Sequence, residues 1–222
     1  MIDAAQVRQR VDEQRRRIAA AGGVDVRLVA VTKTHGAEAI RAAVAAGCRA
    51  IGENYVQELV AKVAELDPAE RPEIRFIGRL QTNKVRQLVG VVDVIETVDR
   101  DSLIAEIARR IPGCRIFIQV NVSGEEQKGG CRPEDVADLV AKARAAGLRV
   151  EGLMTVGRTG PPDAAAPGFR QLRALADEVG LAECSMGMTA DLEVAVAAGS
   201  TEVRVGSAIF GERVRRHADP LR

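Results

Sequence analysis

The sequence predicts a closed (β/α)8 barrel of the TIM type, preceded by one extra helix. Three observations predict it. Eight apolar runs rich in Val and Ile recur along the 222 residues. Stretches with a helical repeat lie between them. Glycine follows several of those stretches, at Gly47, Gly147, Gly180 and Gly199, where a left-handed residue commonly ends a helix. Strands alternating with helices at this spacing make parallel βα units, and eight such units close into a barrel. An open doubly wound sheet is the alternative. It wants a glycine-rich turn after the first strand, and "TKTHGAEA" supplies none.

The elements follow in order. A helix over about residues 2–21 precedes the first strand and is set to pack across the barrel bottom. Its run Arg15-Arg16-Arg17 reads as an exposed face. The eight strand segments are 27–33, 49–54, 74–80, 91–98, 114–122, 149–156, 182–188 and 201–211. Ile40, Ala43 and Val44 mark one helical face, and Val56, Leu59, Val60 and Val63 the next. Leu103, Ile104, Ile107 and Ala108 mark another, and Val136, Leu139, Val140 and Ala143 another. A further helix begins near Thr189. The loops 124–135 and 157–168 are rich in Gly, Pro and charge and are read as mobile. The acidic pair Glu125 and Glu126 lies there and reads as solvated.

Composition narrows the class. The formal net charge is +1, which gives no electrostatic case for nucleic acid or an anionic membrane as partner. No run reaches the roughly 18 apolar residues of a membrane span. The N-terminal stretch is charged and lacks an apolar signal core. A single cytoplasmic domain over 1–222 is expected, compatible with a monomer. Cys48, Cys114, Cys131 and Cys184 form no CxxC pair and read as reduced core thiols. His35 and His217 are too few for a histidine metal site.

One feature breaks the pattern of the first strand. "RLVAVTKTHG" runs a buried strand into Lys33, and strand C-termini of a barrel open onto its active-site face. An amine held there among apolar residues is more readily deprotonated and can form a Schiff base with an aldehyde. Only five of the 32 basic residues are lysine, so a lysine here runs against the habit of the chain. A lysine snorkelling from a strand end is the plainer alternative. At the other end, "CSMGMTADLEVAVAAGS" and "VRVGSAIFG" place Gly187, Gly206 and Ser207 in the loops after the seventh and eighth strands. Barrels commonly hold phosphate there, on backbone N–H groups and a helix N-terminus. Ser185, Thr189, Ser200, Thr201 and Ser207 offer hydroxyls. An amine facing a phosphate cup suits a ligand with both an aldehyde and a phosphate. Pyridoxal 5′-phosphate (PLP) fits, and so does a sugar-phosphate aldehyde in a class I aldolase.

Four segments then carry a resemblance: "VAVTKTHGAEAIRAAVAAGCRAIGENYVQEL", "FIGRLQTNKV", "GLMTVG" and "SMGMTADLEVAVAAGSTEVRVGSAIFG". In this order, over nearly the whole chain, they resemble the PLP homeostasis proteins, which are similar to the N-terminal barrel of alanine racemase. The resemblance implies that Lys33 carries PLP as an internal aldimine and that Asn54 lines the cofactor. It implies that Met154 sits near the ring, that Arg204 faces the pyridine nitrogen, and that Ser185, Gly206 and Ser207 hold the phosphate. Two positions depart from the family pattern. Ile74-Arg75 stands where Trp-His is frequent, and Thr189 stands where serine is usual, keeping the hydroxyl.

The resemblance leaves two functional classes. One is a binding protein that holds PLP, buffers it and passes it to PLP-dependent apo-enzymes. The other is an amino-acid racemase, which needs a base on each face of the ring. In alanine racemase the second base is a tyrosine from another domain and subunit; the only tyrosine here is Tyr55. An arginine at the ring nitrogen cannot accept a proton from it, so the ring is a weak electron sink. These points favour binding. Lys84, in "LQTNK", reads as a surface lysine.

Overall fold

The computed structural model describes residues 2–211. Eight parallel strands close in sequence order: β1 (Arg27–Val31), β2 (Ala50–Glu53), β3 (Glu73–Phe76), β4 (Val94–Val98), β5 (Arg115–Gln119), β6 (Arg149–Met154), β7 (Glu183–Ser185) and β8 (Glu202–Val205). The ring is sealed where β8 pairs with β1, with Val29 opposite Arg204. Every predicted strand is present and shorter than its apolar run; most runs lose their last residues to the barrel mouth, whereas β4 begins late and runs to Val98.

Helices α1 (Ala4–Ala20), α2 (Ala37–Ala45), α3 (Val56–Ala64), α4 (Asp101–Arg110), α5 (Val136–Ala145), α6 (Ala166–Glu178), α7 (Leu192–Ala197) and α8 (Ser207–Phe210) surround the barrel. The third unit has no α-helix; Thr82–Leu88 is a 3-10 segment, with Lys84 half-buried in it. The predicted glycine stops at Gly47, Gly147, Gly180 and Gly199 all have φ between 68° and 91°. Val60 differs from expectation: it is exposed, while Val56 and Leu59 carry the buried face of α3. The helix expected from Thr189 begins three residues later, because Asp191 Oδ1 accepts from Met188 N at 2.6 Å and holds the intervening turn.

The extra helix is correct and its place is not. α1 lies against α2, α7 and α8 on the side of the barrel rather than across its bottom. Val7, Val11, Gln14 and Ile18, spaced four, three and four, form its buried stripe. Two residues of the arginine run are engaged. Arg15 donates to the carbonyls of Ala46 and Gly47 at the end of α2, where a cation suits the helix dipole. Arg17 forks onto Glu193 of α7 and reaches Thr189 O.

Alternation along each strand separates two cores. Outward residues such as Ala30, Ile51, Ile74, Ile95 and Ile116 pack under the helices with the larger apolar cluster. The four cysteines are buried there, and burial pushes their thiols up to about 11 or 12. The barrel interior is different. Val94, Phe117 and Met154 form an apolar cluster there, and charged side chains are buried beside it. Arg75 is fully buried and donates from Nη1 to Glu96 at 2.9 Å and to Glu202 at 3.0 Å. Its Nε reaches Glu73 at 2.8 Å, and its guanidinium carbon lies 5.3 Å from the Phe117 ring centre. The residue that departs from the family's histidine is therefore the hub of a buried ion cluster.

Two carboxylates this close in a dry interior do not ionise equally. Burial, reinforced by the neighbouring charge of Glu96, pushes Glu202 well above the usual range. Burial also opposes the charge on Glu96, but Arg75, a hydrogen bond with Glu202 and the charge of Arg204 outweigh it and hold Glu96 low. Of the two, Glu202 is the carboxyl biased toward holding a proton. Glu202→Gln should cost less at neutral pH than Glu96→Gln, which leaves Arg75 with Glu73 alone as a firmly ionised partner and should cost about 3–5 kcal/mol. Denaturant unfolding of the two isosteric variants checks this; equal losses would contradict the assignment.

Candidate functional site

The strand C-termini frame a cavity of about 510 Å³. β1 and β2 contribute through Lys33 and Asn54, which follow them directly. Met154 comes from β6, Arg204 from β8, and Gly206 and Ser207 from the turn after β8. Six of the seven residues expected at the site therefore line one cavity. Thr189, from the loop after β7, joins them. Its hydroxyl lies 3.4 Å from that of Ser207, so two hydroxyls share one wall.

Ser185 is the exception. It is fully buried and does not line the cavity. Its hydroxyl donates to Glu96 Oε2 at 2.6 Å and accepts from Arg204 Nη1 at 2.6 Å. The register explains this: Ser185 pairs with Glu202, two residues before Arg204 on the same strand, and so belongs to the layer beneath the floor. Ser200 and Thr201 also lie away from the cavity. Ser200 donates to Met186 O at 2.8 Å and Thr201 to Glu183 at 2.7 Å, which ties β7 to β8.

Arg204 is 4% exposed and is held from both sides, by Ser185 Oγ and by Thr155 O, the latter at 2.6 Å. Thr155 is fixed in turn, its hydroxyl donating to Val120 O. Asn54 sits where two backbones nearly touch. A Cβ on Gly78 would lie 2.0 Å from Asn54 O, so only glycine fits opposite it. Thr97 donates to Gly78 O and fixes that glycine at 2.6 Å. The Asn54 side-chain oxygen is buried and has no partner among the described residues, an acceptor that a group in the cavity can meet. Gly187 has φ 97°, and a Cβ there would lie 2.5 Å from Ala195 Cβ, which explains the glycine in the loop that carries Thr189.

Several cavity residues escaped the sequence reading. His35 lines the wall beside Lys33 and packs at 5.4 Å on the Phe210 ring. Its signal, two positions after the lysine, was visible but ambiguous. Ile77, Val156 and Met188 are apolar residues just beyond strand ends, and nothing in their spacing separates them from core. Tyr55 heads α3, is 47% exposed and does not line the cavity. Glu125 is not a solvated loop acid. It binds Lys128 and accepts from Thr159 N at 3.1 Å, and with these partners, Lys128 foremost, its carboxyl falls to about 2. Lys128 also donates to Gly157 O, so the two loops read as mobile are clasped to each other. His217 lies outside the described residues. Among those residues no cluster of His, Cys, Asp or Glu suits a metal ion, and no helix is long and apolar enough to cross a membrane.

A parallel eight-stranded barrel with an amine after its first strand, a buried guanidinium on its last and paired hydroxyls between them defines a barrel of the alanine racemase type. The alanine racemase N-terminal domain model matches residues 2–214. The pyridoxal phosphate homeostasis protein of Pseudomonas aeruginosa is 41% identical over 210 residues, 89% of this chain and 90% of that protein. The protein of the same name from Aquifex aeolicus is 42% identical over 199 residues, 84% and 87% of the two chains. The crystal structure of PipY from Synechococcus elongatus with PLP bound superposes with a TM-score of 0.83 at 33% identity, covering 92% of this chain and all of that one. The chain belongs to the pyridoxal phosphate homeostasis protein family.

The Gly78–Asn54 contact gives a direct test of the site's construction. Gly78→Ala should cost about 1–3 kcal/mol, since backbone must move to admit the methyl. It should also shift the Asn54 side-chain amide resonances in an NMR spectrum. Unchanged stability and unchanged resonances would show that the neighbouring chain gives way freely.

Proposed function

We propose that this protein binds pyridoxal 5′-phosphate at Lys33 and serves its homeostasis, holding the cofactor and passing it to enzymes that need it. One observation carries the reading. An amine, an unpartnered amide oxygen, a buried guanidinium and two hydroxyls converge on one cavity whose remaining wall, apart from Thr34 and His35, is apolar or glycine. That donor set fits a flat aromatic aldehyde bearing a phosphate. PLP supplies the aldehyde that condenses with a lysine amine and the phosphate that anchors the other end.

Each residue then has a task. Lys33 is the attachment point. Thr189, Ser207 and the backbone at Gly206 hold the phosphate, with small residues allowing close approach. Met154 and Val156 cover the ring, and Asn54 orients it. Arg204, permanently charged and braced by Ser185 and Thr155, faces the ring nitrogen and keeps it unprotonated. Ser185 acts on the ring through Arg204, not on the phosphate.

The protein is not a robust catalyst in this reading. Two-face proton transfer needs bases from opposite walls. Tyr55 is outside the cavity, and the titratable residues beside Arg204 that line it, Lys33 and His35, come from one loop. A cytoplasmic monomer is consistent with the exposed apolar residues, such as Val24, Tyr55 and Val89, which lie on separate segments. PLP-dependent apo-enzymes are the partners, met through transfer of the cofactor.

Borohydride treatment of PLP-loaded protein should fix an adduct that peptide mass spectrometry places on Lys33, and Lys33→Ala should lose both the adduct and the visible absorption of the lysine-bound form. An adduct elsewhere overturns the assignment. Arg204→Glu should alter the visible spectrum, because a carboxylate lets the ring nitrogen protonate. Production of D-amino acids by the loaded protein faster than roughly 1 s⁻¹, the lower end of ordinary enzyme rates, would replace homeostasis by racemisation.

A further inference from the structure

Thr34 is the only residue other than glycine with positive φ among those described, at 67°, and it directly follows Lys33. A β-branched residue in that region is strained and persists only where its surroundings impose it. The surroundings come from α3. Glu58 Oε2 accepts from Thr34 N at 2.9 Å, and Lys62 Nζ donates to Thr32 O at 2.9 Å. The peptides on both sides of Lys33 are therefore gripped. The two gripping groups are also joined, Lys62 Nζ lying 3.3 Å from Glu58 Oε2 and 2.7 Å from Glu53 Oε1. Thr32 donates its hydroxyl to the same Glu53 oxygen at 2.5 Å. Lys62 spends all three of its donors in this way, in a buried position. Glu58 and Lys62 stand one helical turn apart, so α3 presents both to the loop at once.

We infer that Glu58 and Lys62 are positioning residues that clamp the backbone either side of Lys33 and so set how tightly its side chain retains an aldehyde ligand. The inference rests on PLP attachment at Lys33. Release adds one water to the carbon–nitrogen double bond, returning the aldehyde and the free amine. A loop free to relax carries Lys33 away once that bond opens, whereas a clamped loop keeps the amine beside the aldehyde and favours reattachment.

Glu58 is the residue to change, because it is partly exposed and its loss leaves the Lys62–Glu53 pair intact. The full-length protein is loaded with PLP, diluted into buffer without it, and the decay of the visible band is followed. Glu58→Ala should release PLP about tenfold faster, the scale of one lost hydrogen bond to a charged group. Glu58→Gln keeps an acceptor for Thr34 N and should stay within about twofold of the parent. In unloaded protein, Glu58→Ala should also speed hydrogen exchange at the Thr34 amide. Release from Glu58→Ala at the parent rate, Glu58→Gln as fast as Glu58→Ala, or an unchanged Thr34 amide would each overturn the clamp. If the parent carries no adduct on Lys33, the functional reading fails instead, and the Thr34 amide still decides whether the clamp exists.

Discussion

The guanidinium of Arg204 joins the mouth of this barrel to its interior. One edge faces the cavity. The others are held by Ser185 Oγ and Thr155 O, and Ser185 passes the connection to Glu96, which is paired with Arg75. Burying a guanidinium is unfavourable unless its donors are met and its charge is balanced. Glu96 serves both arginines, with Glu73 also on Arg75, and its charge beside Glu202 pushes the Glu202 carboxyl toward its protonated form. The polar barrel interior is thus a support for one cavity residue as much as a core.

The same interior shows where the sequence was readable and where it was not. Strand and helix identity came from period and from glycine stops, which are local signals, and all eight strands were found from them. Six of the seven residues expected at the site line one cavity because a barrel brings strand ends together whatever their distance in sequence. Ser185 was misplaced for a physical reason. A hydroxyl at the end of β7 looks the same in sequence whether it points up to a ligand or sits one layer lower, and only the register with Glu202 decides. Arg75, Glu96 and Glu202 are not recognisable as one cluster from sequence, since each lies in a different apolar run and their pairing is entirely non-local. Glu125 and Arg17 show the same limit, although Arg15 and Arg16 are exposed as expected: charge implies solvent until a partner across the fold is known.

Family membership and the role of each residue rest on different footing. Identity over most of the chain fixes the first. The second is carried by geometry, above all by the way unrelated segments supply complementary groups. β1 brings an amine, β2 an unpartnered amide oxygen, and the loops after β7 and β8 a pair of hydroxyls. Arg75, where the family often has histidine, alters the support and not the cavity wall, because it does not line the cavity. The departure therefore changes how Arg204 is underpinned while leaving the ligand-facing groups as the family pattern implies.

A carrier of a reactive aldehyde meets two opposed demands. Its lysine must hold the ligand long enough to keep it from other amines, yet release must not require unfolding. In the proposed pose Arg204, permanently charged, would face the ring nitrogen, weaken the ring as an electron sink and so limit unwanted chemistry on the ligand. Retention is then left to the loop that carries the lysine. That loop has a strained residue and two side-chain grips, all from one helical turn of α3. Strain held by a few hydrogen bonds is easily adjusted, since each is worth only a small multiple of thermal energy. The barrel supplies rigidity through its buried ion cluster, and the rate at which cargo leaves is set separately at its rim.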